Sequence, residues 1–133
     1  MSTPIDRAAL GLAGLLTATS TLHFVSPHRF DAAVPAYLPG SKLGWELVSG
    51  VAELGCAVLL TVPRTRRLGG YASAALFIAI FPGNLDMARR ARSPKGRAMS
   101  LLRLPLQVPL VCWAWRVAQA PQSAESVGPR ACQ

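Results

Sequence analysis

The chain has 133 residues, enough for one domain, and 51% of them are hydrophobic whereas 15% are charged. Soluble domains carry about 25% charged residues, so this composition indicates an integral membrane protein and argues against a soluble domain. The net charge of +8 resembles that of a nucleic-acid binder, but the basic residues lie at the ends of hydrophobic runs, where they anchor helices at a membrane surface, and no nucleic-acid partner is predicted.

The first hydrophobic run predicts a transmembrane helix over residues 6–25. Its apolar part, residues 8–25, would span roughly 27 Å as a helix, close to the bilayer hydrocarbon thickness of about 30 Å. A signal peptide is the alternative, because Arg7 precedes the run and small residues follow it. The length of the run and the further hydrophobic runs after it favour a helix that is retained.

A proline-rich segment, residues 26–42, follows the first helix and contains three prolines. Proline lacks an amide hydrogen and blocks helix continuation, so this segment predicts a structured connector. Apolar residues within it, such as Val34 and Tyr37, favour a position against the membrane surface.

Three more runs predict helices over residues 43–62, 68–87 and 100–118. Pro63 ends the second, and the fourth contains prolines that membrane helices tolerate when their neighbours satisfy the freed carbonyls. The predicted fold is therefore all-α, an up-down four-helix transmembrane bundle formed by residues 1–118. The polar remainder, residues 119–133, is predicted to be a disordered tail.

The three cysteines are far apart and form no CxxC pair. This spacing gives no support for a zinc site or a thioredoxin-like motif, and no metal site is predicted. Buried single cysteines in apolar helices usually behave as small hydrophobic residues.

Polar residues inside the second hydrophobic run are the most informative feature, because an ionisable group in a membrane usually faces the bundle interior or water. Four residues fall within an arc of about 100° on this helix: Glu46, Ser49, Gly50 and Glu53. Glu53 would lie roughly 15 Å along the helix, near the membrane midplane. A structural hydrogen bond to a neighbouring helix and a role in proton or ligand handling both fit Glu53. Glu46 also fits a merely interfacial position.

Alternating helix directions would bring polar residues of all four helices to one end of the bundle. The predicted intramembrane polar cluster comprises His23, Glu46, Ser49, Glu53, Asn84, Arg103 and Gln107. Each has a structural alternative: His23 as an interfacial or capping residue, Asn84 as the partner of a helix end disrupted by Pro82 and Gly83, and Arg103 as a headgroup anchor. The opposite end holds little beyond Arg64, Arg66, Arg67 and a glycine pair.

Two ion pairs are predicted. Arg103 is expected to meet Glu53 directly or through one water, since pairing lowers the cost of both buried charges, and Glu46 is the competing partner. Asp86 lies four residues before Arg90, the spacing of an ordinary pair at a helix end.

Four motifs together resemble the DoxX-like family of small bacterial membrane proteins: HFVSPHRFDAAVPAYLPG, SGVAELGCAVLLTVPRTRRLGG, FPGNLDMA and LRLPLQVPL. The resemblance runs over residues 20–118. The matching positions are His23, Pro27, Pro35, Pro39, Gly50, Glu53, Pro82, Asn84, Arg103, Pro105 and Gln107. Gly83 departs from it, because relatives often have alanine there.

The resemblance implies a multi-pass four-helix protein of the bacterial plasma membrane. Some relatives are linked to quinone-dependent sulfur or thiol oxidation or to membrane oxidoreductase complexes, so it also implies an accessory or quinone-interacting subunit of a membrane redox system. Partners would then be the lipid bilayer and membrane or redox proteins, with quinone as a candidate cofactor. The absence of paired cysteines argues against a self-contained thiol oxidation, and whether the chain is an enzyme stays open.

Two other functions are compatible with the sequence. One is a non-enzymatic scaffold or assembly factor whose polar cluster only locks the fold. A small-solute transporter is weaker, because four short helices without an inverted repeat offer little cavity. Orientation is undecided, since six basic residues on one face oppose eight on the other.

Overall fold

A computed structural model describes residues 4–29 and 31–121, and within them the protein is all-α. The long helices are α1 (Pro4–Val25), α2 (Lys42–Thr61), α3 (Arg66–Arg90) and α4 (Pro94–Gln119). The connector between α1 and α2 carries two short 3-10 helices, Pro27–Arg29 and Asp31–Ala33. The predicted four-helix up-down bundle is confirmed.

Helix bounds differ from prediction mainly in α3 and α4. Helix α3 continues through Pro82 to Arg90, three residues beyond its predicted end at 87. Helix α4 begins at Pro94, before the predicted start at 100, because the Ser93 side chain accepts a hydrogen bond of 3.0 Å from the Gly96 amide and caps the helix. Most of the predicted tail, residues 122–133, lies outside the described residues.

All four helices are long and apolar enough to cross a membrane. Their outward surfaces carry large hydrophobic side chains that water would not solvate favourably, including Leu10, Val51, Val58, Ile78, Leu102 and Val108. An apolar surface on every helix is what a lipid environment requires. The structure therefore supports contact with a lipid bilayer.

Sequence neighbours pack together: α1 lies along α2, α2 contacts α3, and α3 lies along α4. A smaller contact between α1 and α4 closes the bundle, and there the Trp113 indole donates a hydrogen bond of 3.0 Å to the Ala8 carbonyl. The apolar core consists mainly of leucine and alanine, with Leu12, Leu16 and Leu60 almost fully buried.

The end of the bundle opposite the polar cluster holds a polar contact that the sequence analysis missed. Arg66, at the start of α3, forms an ion pair with Asp6 of α1. Its Nε atom also donates a hydrogen bond of 3.1 Å to the Leu60 carbonyl of α2. One arginine thus joins three helices. The sequence alone did not indicate which of the many arginines would pair with Asp6.

The α3–α4 contact is tightest at Gly70. A Cβ atom at this position would lie 2.6 Å from the Ala118 amide nitrogen and 2.8 Å from its Cα, both backbone atoms that cannot move aside separately. Small residues permit this approach, as in membrane helix pairs generally.

Gly70→Ala is therefore expected to lower the free energy of unfolding by about 1–3 kcal/mol, the usual cost of overpacking. The matched control is Gly14→Ala on α1, where an added Cβ meets nothing within 4 Å. Alanine is the better helix former, so the control should be neutral or stabilising by up to about 1 kcal/mol. Reversible unfolding of both variants in mixed micelles measures the difference. Equal stabilities would contradict the packing described for Gly70.

Candidate functional site

A buried histidine lies between two buried carboxylates at the α1–α2 contact. Glu46 and Glu53 are seven residues apart on α2, two helical turns, so their side chains project from the same face. The Nδ1 atom of His23 lies 2.7 Å from Glu46 Oε2, and its Nε2 atom lies 3.4 Å from Glu53 Oε1. The side chains are at most 10% exposed. We call His23, Glu46 and Glu53 the acidic triad.

A close approach of α1 to α2 makes the acidic triad possible. Gly50 lies on α2 between the two glutamates, and a Cβ atom there would be 3.0 Å from the His23 Cβ. The Ser20 hydroxyl donates a hydrogen bond of 2.7 Å to the Gly50 carbonyl. The Thr19 hydroxyl donates one of 2.6 Å to Glu53 Oε2. Glu53 therefore contacts two side chains of α1, those of Thr19 and His23.

Thr19 and Ser20 were not among the predicted site residues. The signal was present in the sequence, because they precede His23 by four and three residues and so share its face of α1. Hydroxyl residues also bond to their own helix backbone, which makes them poor indicators of a site.

The acidic triad holds two exchangeable protons when both ring nitrogens are hydrogen-bonded. One arrangement is an imidazolium that donates to two carboxylates, and the other is a neutral imidazole between one carboxylic acid and one carboxylate. Both arrangements have a net charge of −1, and they interconvert by moving a proton along a hydrogen bond. The arrangement can therefore pass a proton between Glu46 and Glu53 through the imidazole of His23.

A second polar contact joins α3 to α4. The Asn84 amide donates a hydrogen bond of 2.9 Å to Gln107 Oε1. The amide nitrogen of Gln107 donates one of 2.6 Å to the Phe77 carbonyl. Gln107 is buried, and Asn84 is half-buried. Gln107 thus accepts a hydrogen bond from Asn84 and donates one to the α3 backbone, which ties α4 to α3.

A cavity of about 630 Å³ lies between the two helix pairs. Apolar side chains from all four helices form most of its wall. All seven residues of the predicted polar cluster line it: His23, Glu46, Ser49, Glu53, Asn84, Arg103 and Gln107. The structure brings them to one cavity, but it divides them between an α1–α2 side and an α3–α4 side.

The connector covers part of this cavity, and Val34, Pro35, Tyr37 and Leu38 contribute to its lining. Three contacts hold the connector in place. The Ala33 carbonyl lies against Gly83 of α3, Arg90 Nη2 donates a hydrogen bond of 3.3 Å to the Val34 carbonyl, and the Trp45 indole donates one of 2.8 Å to the Pro39 carbonyl.

The predicted direct pairing of Arg103 with Glu53, or with Glu46, is wrong. Within residues 4–29 and 31–121, both carboxylates contact His23, and no ion pair joins either of them to Arg103. The reason is helix proximity, because α1 packs along α2 and places His23 between the glutamates, whereas Arg103 has an exposed position on α4. The predicted pair of Asp86 and Arg90 is confirmed, with 2.5 Å between Oδ2 and Nη2.

A sequence profile described as "Domain of unknown function (DUF8561)" matches residues 12–118. The match begins within α1 and covers the connector, α2, α3, nearly all of α4 and every residue of the predicted cluster. No curated protein and no solved structure matches the chain significantly. The resemblance to the DoxX-like family stays a prediction.

The substitution Gly83→Ala is expected to displace the connector. It introduces alanine, the residue that DoxX-like proteins often have at this position. A Cβ atom on residue 83 would lie 2.5 Å from the Ala33 carbonyl oxygen, a clash that the backbone must relieve by moving. Amide hydrogen exchange over residues 31–39 should accelerate in this variant. Gly55→Ala serves as control, because nothing lies within 4 Å of an added Cβ there. Unchanged exchange in Gly83→Ala would show that the connector does not depend on this contact.

Proposed function

The chain belongs to the DUF8561 family, and we propose that this member is a multi-pass protein of the bacterial plasma membrane that binds a lipid-soluble small molecule between its helices. In this proposal the polar head of the ligand lies beside the acidic triad and exchanges a proton with it. The observation that carries the proposal is the cavity itself, which combines an apolar wall with a buried histidine between two carboxylates.

The size and lining of the cavity suit a small ligand. Ligand sites in proteins are usually about 300–1,000 Å³, mostly apolar, with a few polar groups that orient the ligand. The cavity of about 630 Å³ lies within this range. Leu15, Ile80, Leu106 and Leu110 supply apolar wall, and the predicted polar cluster supplies the polar groups. An apolar ligand could enter from the surrounding lipid.

Proton exchange follows from the acidic triad. Glu53 and Glu46 lie on opposite sides of one imidazole, and Glu53 is the deeper of the two along α2. A proton accepted at one carboxylate can pass to the nearer ring nitrogen of His23, while the other ring nitrogen gives its proton to the second carboxylate. The triad would thus connect the ligand with the end of α2 near Lys42, where the helix begins.

The resemblance to the DoxX-like family supports quinone as the ligand class and a membrane redox system as the setting. Quinones are apolar molecules whose oxygen atoms gain and lose protons, so they match both the wall and the triad. Among the described cysteines, Cys56 is buried on α2 and Cys112 is exposed on α4, with no CxxC motif in the sequence. Electrons would therefore be supplied by a partner protein, and the chain would act as an accessory subunit.

A structural role is the second candidate, and the hydrogen bonds favour it. The acidic triad joins α1 to α2, and Asn84 with Gln107 joins α3 to α4. In the part of the chain that the structure describes, no fully buried side-chain nitrogen or oxygen lacks a hydrogen-bond partner. A non-enzymatic scaffold or assembly factor needs only these hydrogen bonds between helices, because satisfied polar groups fix helix register inside a membrane.

Filling the cavity separates these functions. Ala52 lines the cavity, whereas the adjacent Val51 is 62% exposed on another face of α2. Ala52→Phe is expected to weaken binding of a short-chain quinone by about tenfold or more, since the larger ring occupies the site. Val51→Phe should bind quinone as the unmodified protein does. Both variants are compared in nanodiscs of zwitterionic phospholipid by equilibrium binding.

The scaffold function predicts a different result. In that case the unmodified protein would bind no more quinone than empty nanodiscs, and Ala52→Phe would alter only stability. Thermal unfolding of each variant, measured in parallel, shows whether a loss of binding reflects a loss of fold.

A further inference from the structure

Arg103 gives the cavity a permanent positive charge. It is the only lysine or arginine among the described residues that line the cavity. Its side chain is exposed, and within residues 4–29 and 31–121 no ion pair or hydrogen bond is made by its guanidinium. A guanidinium stays protonated in proteins, so it cannot lose its charge to fit an apolar wall.

The compensating negative charge is elsewhere in the wall. The acidic triad carries a net charge of −1 when both ring nitrogens are hydrogen-bonded, and it lies on α1 and α2. Arg103 lies on α4. Both carboxylates contact His23, and within the described residues neither forms an ion pair with Arg103. The cavity therefore offers a proton acceptor and a cation at separate places.

We propose that the cavity binds an amphipathic weak acid, a carboxylic acid or a phenol, whose proton passes to the acidic triad and whose oxygen anion is bound by Arg103. This inference rests on the proposed ligand-binding function and names the chemical class of the ligand. A weak acid crosses lipid in its neutral form, because a charged group inside a bilayer costs several kcal/mol. Inside the cavity, both products of its ionisation have a partner.

The proton balance closes without a further reactant. The O–H bond of the ligand breaks, and a new N–H or O–H bond forms within the acidic triad. The ligand changes from neutral to −1 while the triad, now with three shared protons, changes from −1 to neutral. No electron moves, and the total charge of ligand, triad and Arg103 is conserved. The new anion forms a charge-assisted hydrogen bond with the guanidinium, which is the strong class of hydrogen bond.

The test compares each acid with its uncharged derivative. The probes are a radiolabelled long-chain carboxylic acid with its methyl ester, and an alkylphenol with its methyl ether. The protein is held in nanodiscs of zwitterionic phospholipid, and binding is compared for the unmodified chain, Arg103→Gln and Arg116→Gln. Arg116 is a matched control because it is exposed on the same helix but does not line the cavity.

The unmodified protein should bind at least one acid more tightly than its derivative. Arg103→Gln should weaken binding of that acid by about 10- to 100-fold, the range for a hydrogen bond to a charged group, and leave the derivative unchanged. Arg116→Gln should change neither. Dependence on Arg103 for the carboxylic acid alone, for the phenol alone or for both supports the proposal and identifies the head group.

Equal binding of acids and derivatives, or an equal loss of both in Arg103→Gln, would overturn the inference and make Arg103 a headgroup anchor. The ligand-binding function would survive that result if Ala52→Phe still blocked binding of an uncharged probe. Failure of every probe to bind a folded protein, together with failure of the short-chain quinone to bind, would instead refute the proposed function itself.

Discussion

The contact of His23 with Glu46 and Glu53 is the constraint on which the α1–α2 pair depends. Buried polar groups that cannot reach water must find partners within the protein, and a buried carboxylate without one is costly. Two glutamates on one face of α2 therefore require donors from a neighbouring helix at matching heights. His23 and Thr19 supply them from adjacent turns of α1, and Gly50 allows the helices to approach closely enough. A shift of α1 by one turn would break these contacts together.

The cavity follows from this pairing. Polar contacts and small residues hold α1 against α2 and α3 against α4. Apolar side chains line the space between the two pairs but do not fill it. The connector then packs against Gly83 and covers part of the opening. The acidic triad thus faces a mostly apolar cavity that the connector partly covers. Such an environment suits proton exchange with a lipid-soluble molecule, and it would be unnecessary for a bundle that only fills space.

Periodicity and composition were sufficient to predict the helices, because long apolar runs separated by prolines and basic turns are compatible with few other folds. Alternating helix directions also explain why all residues of the predicted polar cluster line one cavity. Partner choice was not predictable. Arg103 was expected to meet Glu53 because of its charge, its reach and its position at the same end of the bundle. Helix packing decides which groups meet, and α1 places His23 beside Glu53. Likewise, the approach of Ala33 to Gly83 depends on how the connector folds back, which local sequence does not encode.

Nitrogen-15 NMR of the protein in lipid bilayers reports whether the acidic triad shares its protons, because the shift of each ring nitrogen depends on its protonation and hydrogen bonding. His28 is an internal reference, because its side chain is 88% exposed whereas that of His23 is 9% exposed. If the triad forms as described, both ring nitrogens of His23 will show protonation or strong hydrogen bonding, and replacing Glu46 or Glu53 with glutamine will alter one nitrogen more than the other. A spectrum in which one nitrogen of His23 is an ordinary unbonded acceptor, unaffected by Glu53→Gln, would show that His23 does not share protons with both glutamates.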